Sequence, residues 1–237
     1  MLKPSYKRIL IKISGEILAG DQNFGLHTNM LRQIAEELKQ VHDLGVQVAI
    51  VIGGGNIFRG VEAVKKGMNR VSSDHIGMLA TCINALALQN ILEQNQVAVR
   101  VLSAIEISDM AEPYIYRKSL RHLEKNRMLI FSGGTGNPYF STDTSSALRA
   151  MEISADVLLK ATKVEGVFDK DPVFDKRSKK FKTISYTDIL KKDLKVMDGA
   201  AVSLCRDHKL PFIIFNLKKK GNLVKVVCGE KIGTFVH

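Results

Sequence analysis

The sequence predicts an α/β fold: a three-layer α/β/α sandwich around a mainly parallel central sheet. Three observations predict it. Short apolar runs that read as buried strands alternate with stretches of helical periodicity. Three of those runs, residues 9–13, 46–52 and 128–131, each end in a glycine-rich loop: Lys12-Ile13-Ser14-Gly15, Gly53-Gly54-Gly55, and Gly133-Gly134-Thr135-Gly136-Asn137-Pro138. Loops at the ends of parallel strands gather at one edge of the sheet, which is where open α/β sheets bind ligands. Third, 237 residues with 45% apolar content suffice for one large core without a disulfide or metal staple.

Taken in order, the first strand covers residues 9–13. Thr28 is placed to cap a helix whose apolar positions Leu31, Ile34, Ala35, Leu38, Val41 and Leu44 recur at helical spacing, and Gly45 closes it. The strand at 46–52 completes a strand–helix–strand unit. Asp74 opens a second long helix with Ile76, Leu79, Ala80, Ile83, Leu86, Ala87 and Ile91 turned inward, followed by a strand at 97–102. A helix at 118–125 leads into the strand at 128–131, and one at 143–153 into a strand at 156–159. Past Lys160 the texture shifts to Gly, Asp, Pro and Lys. Helices at 186–192 and 200–208 and strands at 212–215 and 224–227 follow. The expectation is a single domain over 1–237. Its N-terminal lobe, about 1–159, carries the phosphate loops and the acceptor pocket, and its C-terminal lobe, about 160–237, binds a nucleotide base.

Lys and Arg number 35 against 24 Asp and Glu, a formal charge of +11. The runs Lys176-Arg177-Ser178-Lys179-Lys180-Phe181-Lys182 and Lys218-Lys219-Lys220 concentrate part of it. Without aromatic platforms beyond Phe181, they read as solvated surface rather than a nucleic-acid track, and the general positive field suits small anionic substrates. Cys82, Cys205 and Cys228 form no C-x-x-C pair, which argues against a disulfide framework or zinc site and for a reducing, cytoplasmic setting. The first residues lack the apolar core of a signal peptide, and no run reads as a membrane span.

The common nucleotide motifs fail. Gly55-Asn56-Ile57-Phe58-Arg59-Gly60 matches the first half of a P-loop, but Val61 stands where its lysine belongs. Segments 53–58 and 134–139 miss the last glycine of G-x-G-x-x-G. Phosphoryl transfer, however, asks mainly for positioning and for cations and backbone N–H groups aimed at the migrating oxygens. Lys12, at a strand end directly before Ser14-Gly15, is the first candidate; the plainer reading is a surface lysine flanking a strand. Arg59 suits a bidentate phosphate contact, or a surface ion pair. Asp74 and Asp143 each suit either a helix cap or a functional carboxylate: Asp74 accepting a ribose hydroxyl, Asp143 organising lysines or Mg²⁺ waters. Mg²⁺ keeps several waters, so no protein cage is expected and no metal ligand is assigned.

Several ordered runs carry a specific resemblance. Lys12-Ile13-Ser14-Gly15-Glu16, Gly53-Gly54-Gly55-Asn56-Ile57-Phe58-Arg59-Gly60, Gly67-Met68-Asn69-Arg70 and Asp74-His75-Ile76-Gly77-Met78-Leu79-Ala80-Thr81 are similar to bacterial uridylate kinases of the amino acid kinase fold family. So are Gly134-Thr135-Gly136-Asn137-Pro138-Tyr139-Phe140, Lys160-Ala161-Thr162-Lys163-Val164-Glu165-Gly166-Val167-Phe168, Lys195-Val196-Met197-Asp198 and Arg206-Asp207-His208-Lys209-Leu210-Pro211. The resemblance implies transfer of the ATP γ-phosphoryl group to UMP, giving UDP and ADP, with Mg²⁺. By matching position, Lys12, Ile13, Ser14, Gly15, Gly55, Arg59, Thr162, Phe168 and Asp171 would bind ATP. Gly54, Asp74, Thr135, Gly136, Asn137, Pro138, Tyr139, Phe140, Ser141 and Thr142 would hold UMP. Lys12 would stabilise transition-state charge, with Asp143 and Asp198 organising the cations. The resemblance further implies a homohexamer, inhibition by UTP and, in many relatives, activation by GTP. Arg100 and Arg127 match basic effector positions, whereas Glu93 stands where some GTP-activated relatives have histidine, and Ser73 departs from the glycine common there. Two other readings remain: a carboxylate kinase of the same fold acting on an amino acid, against which segment 135–142 argues, and a nucleotide-responsive nucleic-acid-binding protein.

Overall fold

The structure, a computed structural model, describes residues 3–170, 175 and 177–237. Strands β1 (Arg8–Ile13), β2 (Gln47–Ile52), β3 (Val99–Ser103), β4 (Glu112–Pro113), β5 (Met128–Ser132), β6 (Val157–Thr162), β7 (Thr183–Ile184), β8 (Phe212–Asn216) and β9 (Thr234–Val236) form one sheet in the order β4-β3-β5-β2-β1-β6-β8-β9-β7. Neighbours run parallel except β8 and β9. From β1 the chain adds β2, then places β3 and β4 further out, inserts β5 between β2 and β3, and returns to the other flank of β1 with β6. The order therefore reverses between β1 and β6, the switch point at which such sheets open a binding crevice.

The pleat decides which residues meet which helices. On β1, Ile9, Ile11 and Ile13 face one layer, and Leu10, hence Lys12, the other. The first layer packs α1 (Gly15–Leu18), α2 (Thr28–Asp43), α4 (Arg70–Gln94) and α9 (Asn222–Val227). The second packs α5 (Tyr116–Glu124), α6 (Thr142–Glu152), α7 (Tyr186–Lys191) and α8 (Gly199–Asp207). The short α3 (Gly60–Lys65) lies against α4 and buries none of its residues.

Four local expectations are corrected. The cap of α2 is His27, whose ring accepts from the Met30 amide, so Thr28 is already helical. Likewise α4 begins at Arg70 under an Asn69 cap that accepts from Val71 and Ser72, which places Asp74 within the helix rather than at its start. Ser141, not Asp143, caps α6. Residues 224–227, expected as a strand, lie in α9. There the buried Glu37 of α2 accepts the Gly221 and Leu223 amides, satisfying donors at the start of the helix while Leu223, Val226 and Val227 fill the core. That long-range cap overrides the β-propensity of the valines.

The face of α4 is also partly reversed. Ala80, Ala87 and Ile91 do turn inward, but Ile76, Leu79 and Ile83 are 37%, 51% and 48% exposed. Its inner face instead carries Ser73, Met78, Thr81, Asn84, Ala85, Leu88 and Leu92, with small residues where Gly54 comes against Gly77 and Ala80. By length and composition α4 would also pass for a membrane span; in this fold its inner side, with Ala85, Leu88 and Leu92, is part of the core.

Candidate active site

Lys12 and Lys160 are register partners on β1 and β6, so they flank the switch point side by side. Both point to the layer of α6, which starts just where its first turn can meet them. Asp143 sits in that turn, with Lys12 Nζ 2.9 Å from Oδ1 and Lys160 Nζ 2.6 Å from Oδ2. All three side chains are largely buried. Burial alone would push the Asp143 carboxyl up; the two ammoniums outweigh it and hold it near 2. Burial pushes the Lys160 ammonium below its usual range, with Asp143 opposing the shift and Lys12 adding to it. Lys160 also donates to the Val196 carbonyl at 2.5 Å. Asp143 Oδ1 is buried against the Lys12 ammonium without an aligned hydrogen-bond donor.

Asp198 borders this cluster with a bracing set of bonds. It caps α8 by accepting from the Ala201 amide at 2.8 Å, and it accepts from the hydroxyls of Ser141 and Thr144 at the start of α6. Its carboxylate therefore ties α8 to the helix end that presents Asp143.

The Lys12-Ile13-Ser14-Gly15 loop turns sharply into α1. A Cβ on Gly15 would come 2.5 Å from Asn56 Oδ1 and 2.8 Å from the Gly53 carbonyl, so only glycine lets this loop lie against the next one. Gly55 faces open space. Arg59 is about half exposed, 3.2 Å from Glu62 and 3.7 Å from Glu16. At the end of β6, Thr162 donates to the Val164 and Phe215 carbonyls. Phe168 is half-buried and bridges to Lys180. Asp171 lies outside the described residues.

Beside these loops opens a cleft of about 220 Å³ lined by Gly54, Gly55, Phe58, Val61, Arg70, Ser73, Asp74, Gly77, Met78, Thr81, Gly134, Thr135, Phe140, Ser141 and Thr142, among others. Its inner end reaches Thr142, next to Asp143. At its outer end, Asp74 Oδ2 accepts from Arg70 Nε and from the Tyr139 amide, both at 2.7 Å. Of the expected acceptor residues, Gly54, Asp74, Thr135, Phe140, Ser141 and Thr142 line the cleft, while Gly136, Asn137, Pro138 and Tyr139 lie beyond its lining as the rest of the loop. Sequence reasoning omitted Lys160, Arg70, Thr81 and Asn84 from the site. Lys160 had a signal: a lysine within an otherwise apolar buried strand.

A cation pair with its carboxylate, two glycine loops in contact and an adjoining cleft fit in-line transfer between two anionic groups. The sequence pattern of the amino acid kinase family matches residues 7–216. Among solved structures, UMP kinase from Bacillus anthracis is 41% identical at a TM-score of 0.95, over 98% of this chain and 96% of that one. UMP kinase from Ureaplasma parvum is 35% identical at 0.92, over 100% and 99%. Uridylate kinase from Archaeoglobus fulgidus is 25% identical at 0.75, over 97% and 99%.

Proposed function

The chain belongs to the amino acid kinase family, and from that premise we propose that it is a UMP kinase, transferring the ATP γ-phosphoryl group to UMP to give UDP and ADP. The observation that carries the reading is the buried Lys12–Asp143–Lys160 cluster at the point where the Gly15 loop meets the inner end of the cleft. Two ammoniums fixed there before substrate arrives stabilise charge on the migrating oxygens without reorganising. Asp143 keeps them apart and oriented, and the UMP phosphate, already an anion, attacks without a general base. Thr162, Phe168 and Asp171, with the C-terminal lobe from about residue 160, are proposed to hold ATP together with the Gly15 loop, Gly55 and Arg59. Gly54, Asp74 and the segment from Thr135 to Thr142 are proposed to hold UMP.

Mg²⁺ fits this site. The buried Asp143 Oδ1, which lacks an aligned hydrogen-bond donor, suits a metal-bound water. A Mg²⁺ carried by the nucleotide needs only such a contact, and it would neutralise phosphate charge. Self-association as a homohexamer in the cytoplasm is part of the proposal. The exposed stripe of Ile76, Leu79 and Ile83 on α4 supports self-association. UTP inhibition would need only the acceptor pocket. A GTP effect would act near Arg100 and Arg127, which here neighbour Glu112 and His122.

The test is ADP release from ATP and Mg²⁺ with UMP, CMP, dTMP, AMP, glutamate and aspartate as parallel acceptors, with and without GTP or UTP. UMP is expected to turn over far faster than the others. Turnover with glutamate or aspartate instead would make the chain a carboxylate kinase.

A further inference from the structure

Behind the two glycine loops lies a pair of buried amides that neither nucleotide would touch. Asn84, fully buried in the middle of α4, and Asn56, 1% exposed, donate to each other: Asn84 Nδ2 to Asn56 Oδ1 at 2.7 Å and Asn56 Nδ2 to Asn84 Oδ1 at 3.0 Å. The second N–H of Asn84 goes to the Gly53 carbonyl at 2.6 Å, and that of Asn56 to the Gly25 carbonyl at 2.8 Å. Every donor of both amides is thus used, the condition under which a buried polar pair specifies one geometry instead of costing stability. The same pair backs the other loop, since the Gly15 backbone is pressed against Asn56 Oδ1 and the Gly53 carbonyl closely enough to exclude a Cβ. Gly53 N in turn donates to the Ile13 carbonyl at 2.9 Å.

We propose that Asn84 and Asn56 are positioning residues for phosphoryl transfer: one clamp that sets the Gly15 loop and the 53–55 loop, which offers Gly54 to UMP and Gly55 to ATP, in a single fixed relation. The proposal rests on the UMP kinase reading for its rate readout. In-line attack needs the two phosphates held to a fraction of an ångström, and a misplacement of about 1 Å costs roughly 10²-fold in rate. Each nucleotide takes most of its proposed contacts outside the 53–55 loop, UMP from Asp74 and segment 135–142 and ATP from the Gly15 loop, Arg59 and the C-terminal lobe, so a shift between the two loops misaligns the phosphates more than it weakens either binding. The clamp therefore acts on kcat more than on KM.

The experiment compares wild type with Asn84→Ala, Asn84→Leu, Asn56→Ala and the double alanine variant, measuring kcat, both KM values and thermal midpoint. Each single variant is expected to lose about 10–100-fold in kcat with KM values within about threefold. Leucine, which fills the space, should be as slow as alanine, and the double variant no slower than the worse single one, because the amides act as a unit. A folded single variant with kcat within twofold of wild type overturns the proposal, as does rescue by leucine. Hydrogen exchange on the unmodified protein reads the same clamp without substitution. The Gly53, Ile57 and Phe58 amides, bonded to the Ile13 and Gly54 carbonyls, should exchange far more slowly than those of the exposed segment 21–24, and exchange as fast as that segment overturns it. A wild type inactive on UMP would remove the kinase reading while leaving this exchange result to judge the clamp.

Discussion

Two largely buried carboxylates, each in the first turns of a helix, flank the cleft, Asp74 in its lining and Asp143 next to Thr142, and they are held by different kinds of partner. Asp143 at the inner end is buried between two buried ammoniums, and its bonds are all to rigid strands. Asp74 at the outer end is paired with Arg70, whose side chain is 46% exposed, and with the backbone of a loop whose Tyr139 and Phe140 face solvent. The inner carboxylate belongs to a fixed electrostatic field suited to chemistry. The outer one is a latch on a solvent-facing loop, the one proposed to hold UMP.

Breaking the inner arrangement should do the most damage. Asp143→Asn leaves Lys12 and Lys160 buried without their counter-charge, and removing one member of a buried pair costs about 3–5 kcal/mol. Urea unfolding of this variant is expected to show that loss, and its kcat to fall at least as far as that of Lys12→Ala; a stability change under about 1 kcal/mol would show that the cluster does not depend on the carboxylate. The pH dependence has a definite sign. Because the folded Asp143 is held near 2, below the ordinary value of about 4, its stabilisation is complete above about pH 4 and is lost as the pH falls toward 2. The asparagine variant should lack that acid limb. Next in size is Lys12→Ala, expected to lower kcat by ~10²-fold, about 2.7 kcal/mol, with smaller changes in KM. Near-normal kcat would assign the charge stabilisation to Lys160 alone.

The two ends of the cleft were not equally legible. The inner one follows in part from local rules: Lys12 near a strand end before Ser14-Gly15, a pleat that alternates faces, and a helix whose first turn carries Asp143, whereas Lys160 had to be brought beside Lys12 by the pairing of β1 with β6. The parallel core strands followed from the same periodicities. The α4 helix did not, because apolar residues surround most of it and the pattern cannot say that glycine loops demand small inner groups, leaving Ile76, Leu79 and Ile83 outside. Nor could the sequence show that Glu37 caps a helix at residue 222, or that Asn84 reaches Gly53, since both depend on partners far along the chain. Short elements such as α3, β4 and β7 lack enough residues to show a period at all.

At the outer end effects should be smaller and should fall on binding. Asp74→Asn keeps the shape but weakens the bonds to Arg70 and the Tyr139 amide, and a charge-assisted bond of this kind contributes about 1.5–3 kcal/mol. The UMP KM is expected to rise by about tenfold or more with kcat nearly unchanged; a selective rise in the ATP KM would exchange the two pockets. Smallest of all should be Tyr139→Gly. Tyr139 has φ of 70°, where a side chain is disfavoured by about 1–2 kcal/mol, so glycine relieves strain while adding backbone freedom in the unfolded chain worth about 0.5–1 kcal/mol. It also removes the contact in which Arg70 lies 5.5 Å from the ring centroid, worth about 0.5–1 kcal/mol at an exposed site. These effects nearly cancel, and the bond to Asp74 survives because the loop supplies it from the backbone. Thermal midpoint and UMP KM should therefore both stay close to wild type. A KM rise as large as that of Asp74→Asn would mean that the ring itself, rather than the latched backbone, closes the cleft.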